Sequence, residues 1–235
     1  MSSLNFVKSL FFMIKYTFLF SVFFLFSCAT NHSKVVKSRV YIEDNKLIYI
    51  GKIEKTLNEK AFLIYDESIV KPTTLAITSQ GGEVHSGLDL GEWIHEKGIN
   101  VEVVKGCASS CANYVFLAGK KKILHKDSVL IWHGNSYQSD MNEKVKDGEE
   151  YAVIWRKRED EFYKSIGIDA KIAYWGLNDI SFFERLMSLI QFSPIIGFDY
   201  SIQDMEKLGV TNIYLKDGEW EWRKYRKFNV KRVSL

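Results

Sequence analysis

Three short stretches carry the residue types from which a nucleophile, a base and an oxyanion site can be assembled. They are Ser79-Gln80-Gly81-Gly82, Gly106-Cys107-Ala108-Ser109-Ser110-Cys111 and Trp132-His133-Gly134. A serine hydroxyl is a weak nucleophile and needs a neighbouring base to take its proton, a role suited to histidine. Glycines let a backbone approach a substrate closely and present its amides. A serine at a helix start stands where the first N–H groups point outward unpaired, and those amides can receive the negative charge that attack creates. Each residue also has a plainer use. Ser109 or Ser110 can cap a helix, the glycine pair can form a tight turn, and a lone histidine can be structural.

The surrounding pattern sets these residues at strand ends. Residues 74–78 read as a short strand running straight into the double glycine, and residues 84–95 as a helix closed by Gly98. Residues 99–104 form a β-branched strand leading to the serine turn, and residues 112–118 have the apolar density of a buried helix. Residues 128–132 form a further strand that ends at His133. This β-α-β-α-β order predicts an α/β fold with a parallel-rich sheet and helical crossovers. In open α/β sheets the site lies beyond the carboxyl ends of the strands.

On either side, residues 39–50 read as a strand or hairpin and residues 54–65 as an amphipathic helix. After Tyr137 the chain turns helical, with a long charged helix over residues 142–164 and shorter ones over 170–176 and 181–190. A helix starting at Ser201 stops at Gly209, and a terminal strand follows in a basic, tryptophan-containing tail. His85, His95 and His125 have no motif context.

The chain has 235 residues, enough for one well-filled domain, and a net charge of +3, too small to argue for nucleic acid. Lys8 and Lys15 precede an uncharged apolar run over residues 16–26, followed by Ser27-Cys28. That run is too short to span a bilayer and fits a secretory signal, the alternative being a plain N-terminal anchor. The boundaries are therefore a signal segment over 1–28, a flexible polar tether over 29–38 and one domain over 39–235. The ending Leu25-Phe26-Ser27-Cys28 resembles a bacterial lipobox, which implies lipidation of Cys28. Ala29, in place of the aspartate of inner-membrane retention, then implies a periplasm-facing position on the outer membrane. Two cysteines remain, Cys107 and Cys111, on either side of the serines. In an oxidising compartment such a pair invites a disulfide; two small buried thiols packing the turn is the alternative.

The order and spacing of the three stretches resemble the Clp protease proteolytic subunit and the wider ClpP/crotonase superfamily, over residues 47–134. Ile77-Thr-Ser-Gln-Gly81-Gly82 is similar to that family's I-N-S-P-G-G, Gly106-Cys-Ala-Ser-Ser110-Cys-Ala to its G-x-A-A-S-M-G, and Ser128-Val-Leu-Ile-Trp-His133 to its S-R-V-M-I-H. Closer still is a group of predicted bacterial periplasmic proteins of this superfamily with a C-x-S-x-C turn like residues 107–111. The resemblance implies a ClpP/crotonase-like domain with a helical C-terminal part. It puts the nucleophile on Ser110, the general base on His133 and the oxyanion hole on the amides of Gly82 and Cys111. The family-like acid falls between the helical region and the helix at 201–209, where Asp199 is the nearest candidate and Asp179 the second. A Ser-His dyad without a carboxylate is the third option.

The function expected from this reading is an exported serine hydrolase, an ATP-independent peptidase acting on peptides or unfolded protein. No G-x-x-x-x-G-K-[ST] nucleotide motif is present, and neither a metal, another cofactor, nucleic acid nor an ATPase partner is expected. A homo-oligomer is compatible with the resemblance, and the membrane is met through the N-terminal lipid. The competing reading is a non-catalytic envelope lipoprotein that keeps the fold as a binding module. A crotonase-type acyl-CoA enzyme is disfavoured because export removes it from the CoA pool, and a thiol nucleophile at Cys107 or Cys111 is a minor fourth reading.

Overall fold

The computed structural model describes residues 37–235. The signal segment, the lipidation candidate Cys28 and all of the tether but its last two residues lie outside the described residues.

The chain begins with a hairpin of β1 (Arg39–Glu43) and β2 (Lys46–Ile50). Its turn is Asp44-Asn45, both at positive φ (49° and 56°), the pairing that a two-residue hairpin turn favours. α1 (Lys55–Glu67) follows, then β3 (Thr74–Ser79), which is buried along nearly its whole length as a central parallel strand must be. α2 (Val84–Lys97) is capped at its start by the Glu83 carboxylate, which accepts the His85 and Ser86 N–H groups, and ends at Gly98 in the left-handed conformation.

The main sheet, seven strands among the described residues, runs in the order β1, β2, β3, β4 (Asn100–Ala108), β5 (Lys122–Leu124) and β8 (Ile213–Leu215), with β6 (Val129–Ile131) also on β4. Apart from the β1–β2 hairpin its pairings are parallel. The fold is therefore α/β with a mostly parallel mixed sheet. Its organising strand is β4 (Asn100–Ala108), whose first half pairs with β5 (Lys122–Leu124) and whose second half pairs with β6 (Val129–Ile131). Pairing with β3 slips between these halves: Ile77 lies opposite Val103, but Ser79 lies opposite Cys107. Irregularities of this kind bend a strand and increase its twist. Here the bend lets one strand serve two partners. The sequence pattern ends this strand at Val104 because Lys105-Gly106-Cys107-Ala108 lacks β-branched residues. The pairing with β6 carries it on.

Beyond β6, Trp132 exchanges two backbone hydrogen bonds with Phe198 (2.9 and 2.8 Å). This joins the main sheet to a small parallel pair, β7 (Phe198–Tyr200) with β9 (Lys231–Val233). The long helix expected over 142–164 is two helices, α3 (Ser139–Lys146) and α4 (Glu150–Ile166), separated at Gly148 with φ +74°. Glycine is among the poorest helix formers, and the break falls there. α5 (Trp175–Asp179), α6 (Phe182–Ile190) with a Ser181/Glu184 capping box, α7 (Ile202–Lys207) and β8 (Ile213–Leu215) complete the order before β9. No helix among the described residues is long and apolar enough to cross a membrane.

Candidate active site

Only Ser109 and Ser110 lie between β4 and the π-helix Cys111–Phe116. Ser109 takes φ +57°, a left-handed conformation uncommon outside glycine, and Ser110 is already right-handed helical. A disulfide joins Cys107 to Cys111 (Cα–Cα 5.2 Å), so the last turn of strand and the first of helix are clamped around the two serines. The hydroxyls then differ. Ser110 is 2% exposed, and its Oγ accepts the Gly82 N–H at 2.8 Å and donates to the Gly82 carbonyl at 3.4 Å. Ser109 is half-buried, and among the described residues its hydroxyl has no hydrogen-bond partner.

The double glycine is pressed against this turn. At Gly81 (φ +90°) a Cβ would stand 2.5 Å from the Ala108 carbonyl oxygen and 2.7 Å from the Ser109 Cβ. At Gly82 it would stand 1.9 Å from the Ile53 carbonyl oxygen. Neither position accepts a side chain, which is why the strand end can lie directly on the serines.

His133 reaches the same place by register. β6 runs parallel to the end of β4, with Ala108 opposite Ile131 and the Ser109 N–H on the Ile131 carbonyl (3.0 Å). His133 follows Ile131 by two residues, at the same end of the sheet as the serine turn. A cavity of about 190 Å³ opens there, lined by both serines, His133, Asn113, Tyr114 and Trp155 among others. His133 is exposed, and no hydrogen bond joins it to either serine among the described residues. In ligand-free enzymes such contacts are often long and tighten only on substrate. The structure thus brings Ser110, His133, Gly82 and the Cys111 amide to one end of the sheet.

Neither expected acid lines that cavity. Asp199 is fully buried on β7, and its carboxylate is taken by other groups. Arg223 donates to both oxygens (2.6 and 2.7 Å), Arg232 likewise (2.9 and 3.1 Å), and the Trp222 indole adds a fifth bond at 2.9 Å. The residue facing His133 is Gly197, where a Cβ would lie 3.4 Å from the His133 Cβ. Asp199 is two residues farther on, about 7 Å along an extended strand. Asp179, at the end of α5, is exposed and makes no hydrogen bond among the described residues. In this structure the Asp199 carboxylate, expected as the third member of a triad, is bonded to the basic tail and makes no hydrogen bond to His133.

Two residues that the sequence reading passed over matter more. Glu159 is fully buried behind the cavity and accepts hydrogen bonds from the Tyr114 hydroxyl (2.7 Å), the Ser136 N–H (3.0 Å) and the Ser136 hydroxyl (2.5 Å). The Trp155 indole in turn donates to the Tyr114 oxygen at 3.0 Å. Burial pushes the Glu159 carboxyl above the usual carboxylate range against the opposing pull of those bonds, and burial and Glu159 together raise the Tyr114 phenol. The available signal was spacing: Glu159 falls four residues after Trp155 and three before Phe162, on the apolar stripe of α4. Asn113, the second residue, is buried in the cavity wall and donates from Nδ2 to the Gly134 carbonyl at 2.9 Å. Among the described residues no group of three or more His, Cys, Asp or Glu side chains is placed to hold a metal ion.

No family model matches the chain, and no curated protein gives a match.

Proposed function

We propose that the chain is an exported serine hydrolase of the ClpP/crotonase type, a peptidase that works on peptides or unfolded protein without an ATPase partner. One observation carries the reading: the serine turn and His133 line a single cavity at the carboxyl ends of neighbouring parallel strands. In this reaction His133 accepts the serine proton as the hydroxyl attacks the scissile carbonyl, and backbone amides at the turn receive the oxyanion. The histidine works in a dyad, since Asp199 is occupied elsewhere. Family-like spacing puts the nucleophile on Ser110 and the oxyanion amides on Gly82 and Cys111. A second reading puts the nucleophile on Ser109, favoured by its hydroxyl, which has no hydrogen-bond partner among the described residues, and by its strained φ of +57°. The signal-like N-terminus and the Cys107–Cys111 disulfide support an oxidising envelope compartment, with Cys28 as lipid anchor on the periplasmic face of the outer membrane.

A fluorophosphonate probe tests this directly. It is expected to label the mature protein at one serine of the turn, identified by peptide mass spectrometry, and His133→Ala is expected to abolish labelling while the protein stays folded. A wild-type protein inert to such probes and to peptide substrates would overturn the hydrolase reading in favour of the envelope binding module.

A further inference from the structure

α6 turns its apolar stripe outward. Phe182, Phe183, Leu186, Leu189 and Ile190 are 40–81% exposed, whereas the buried residue of the helix is Ser188 and Glu184 is held by Lys231 at 2.5 Å. An amphipathic helix of a globular protein ordinarily faces the core with that stripe. The apolar face continues past the helix end. Phe192 is 95% exposed and Ile196 is exposed. Phe228 joins them, because Asn229 donates from Nδ2 to the Ser193 carbonyl (2.5 Å) and accepts the Ile196 N–H (3.0 Å). An exposed apolar patch of this kind marks a protein or membrane interaction surface.

We propose that this face docks onto a phospholipid bilayer, with α6 lying along the membrane plane and its apolar side chains among the acyl chains. Shape favours lipid over a protein partner. Side chains exposed to this degree stand out singly, and fluid acyl chains accept such knobs, whereas a protein must supply a complementary surface. Charge is compatible: residues 179–197 and 227–231 carry Arg185, Lys227 and Lys231 against Asp179 and Glu184. Arg185 and Lys227 are exposed and make no ion pair among the described residues, so both can reach headgroup phosphates while their stems lie along apolar surface. Reach adds the third argument. Both readings of the N-terminus, a lipidated Cys28 and a plain anchor, end in a bilayer, and a tether over residues 29–38 spans at most about 35 Å. The choice of lipid rests on that proposed address; the exposed face does not. Gly197, which follows Ile196, packs against Trp132 and His133, so docking by this face brings the His133 end of the sheet to the membrane surface.

The test follows the full chain in proteoliposomes of phosphatidylethanolamine and phosphatidylglycerol. In a Cys28→Ala background an introduced cysteine is the only free thiol, since Cys107 and Cys111 are bonded to each other. Bimane is placed at Gln191→Cys, between Ile190 and Phe192, and for reference at Lys60→Cys on α1, both exposed positions. Lipid with a nitroxide high on its acyl chain quenches only probes that enter the bilayer. It is expected to lower emission at residue 191 at least twofold and to leave residue 60 unchanged, and a Phe182→Ser/Leu186→Ser/Phe192→Ser chain is expected to lose the quenching. Equal emission at residue 191 with and without the nitroxide overturns the inference even if the serine variant does not fold, and so does quenching that survives in a folded serine variant. A probe at 191 that escapes the nitroxide but is shielded from aqueous iodide only at high protein-to-lipid ratio identifies a second copy as the occupant and overturns the lipid assignment. The readout needs neither lipidation nor hydrolysis. A chain insensitive to globomycin and to serine probes, yet quenched at 191, fails the address and hydrolase readings and leaves this inference standing.

Discussion

The Gly82 amide donates to the Ser110 hydroxyl at 2.8 Å, so the turn after β3 and the start of the π-helix are joined by a serine side chain. That bond separates two neighbouring serines that look interchangeable in the sequence. Ser110 is engaged and 2% exposed, whereas Ser109 carries the unfavourable backbone conformation. Strain of this kind is retained where the surrounding structure overrides it, and such residues cluster at active sites.

Opposite stability effects follow at adjacent positions. Ser109→Gly removes a left-handed non-glycine residue and is expected to stabilise the protein by roughly 1 kcal/mol. Ser110→Ala leaves the Gly82 N–H without its acceptor and is expected to cost about 1–3 kcal/mol. Denaturant titration measures both, and probe labelling of the same proteins assigns the nucleophile. Loss of labelling in the stabilised Ser109→Gly protein places it on Ser109; loss in Ser110→Ala alone places it on Ser110.

Asp199→Asn separates structural from catalytic roles. With the carboxylate gone, the half-exposed Arg223 and Arg232 converge on a buried neutral amide, and the loss of these charge-assisted hydrogen bonds costs on the order of 1–3 kcal/mol. A clear drop in Tm is expected, with the labelling rate at temperatures where the variant is folded staying within about twofold of wild type. A large loss of labelling in folded protein would return Asp199 to the catalytic group.

Glu102 predicts the acid limb of stability. Its buried side chain meets Lys46 (2.5 Å), Lys216 (2.5 Å) and the His125 Nε2 (2.8 Å). Burial alone would raise this carboxyl, but hydrogen bonds from Lys216, Lys46 and His125 outweigh it and hold the pKa at about 2. A carboxylate with a depressed folded pKa stabilises fully above its unfolded value of about 4.3, and that contribution is lost as pH falls through the folded value. Tm is therefore expected to fall between about pH 4.5 and 2, and Glu102→Gln to show a flatter slope over that interval. Parallel slopes in the two proteins would assign the acid limb to other groups.

The proposed lipid anchor is read from processing. Globomycin is expected to make an unprocessed precursor accumulate, and Cys28→Ala to do the same without the drug. A Cys28→Ala protein with wild-type mobility and membrane fractionation would exclude the lipoprotein assignment.

What the sequence reveals and what it hides divide along a physical line. β3, α2 and the strand leading to His133 are legible because β-branched runs, a capping residue and Gly98 are local signals. The glycine pair, Ser110 and His133 are legible as strand-end residues for the same reason. The surroundings of Asp199 are not, because its partners Arg223 and Arg232 are 24 and 33 residues away, one on the short helical turn Trp222–Lys224 and the other brought in by the pairing of β7 with β9. β5 is three residues long and exists through pairing with β4 and β8, so no periodicity marks it. Asn113 looks like an ordinary helical polar residue until the π-helix turns it into the cavity wall.

The arginine clasp on Asp199 also fixes when the molecule can become whole. Phe198, beside Asp199, holds Trp132, and Trp132 precedes His133. Until residues 223–232 have emerged and folded back, β7 carries a buried anion with no counter-charge and cannot settle against that strand. A chain still being synthesised therefore lacks a seated histidine. The order in which the chain emerges thus sets the order in which this part of the fold can close, with the end of the sheet that carries His133 completed last.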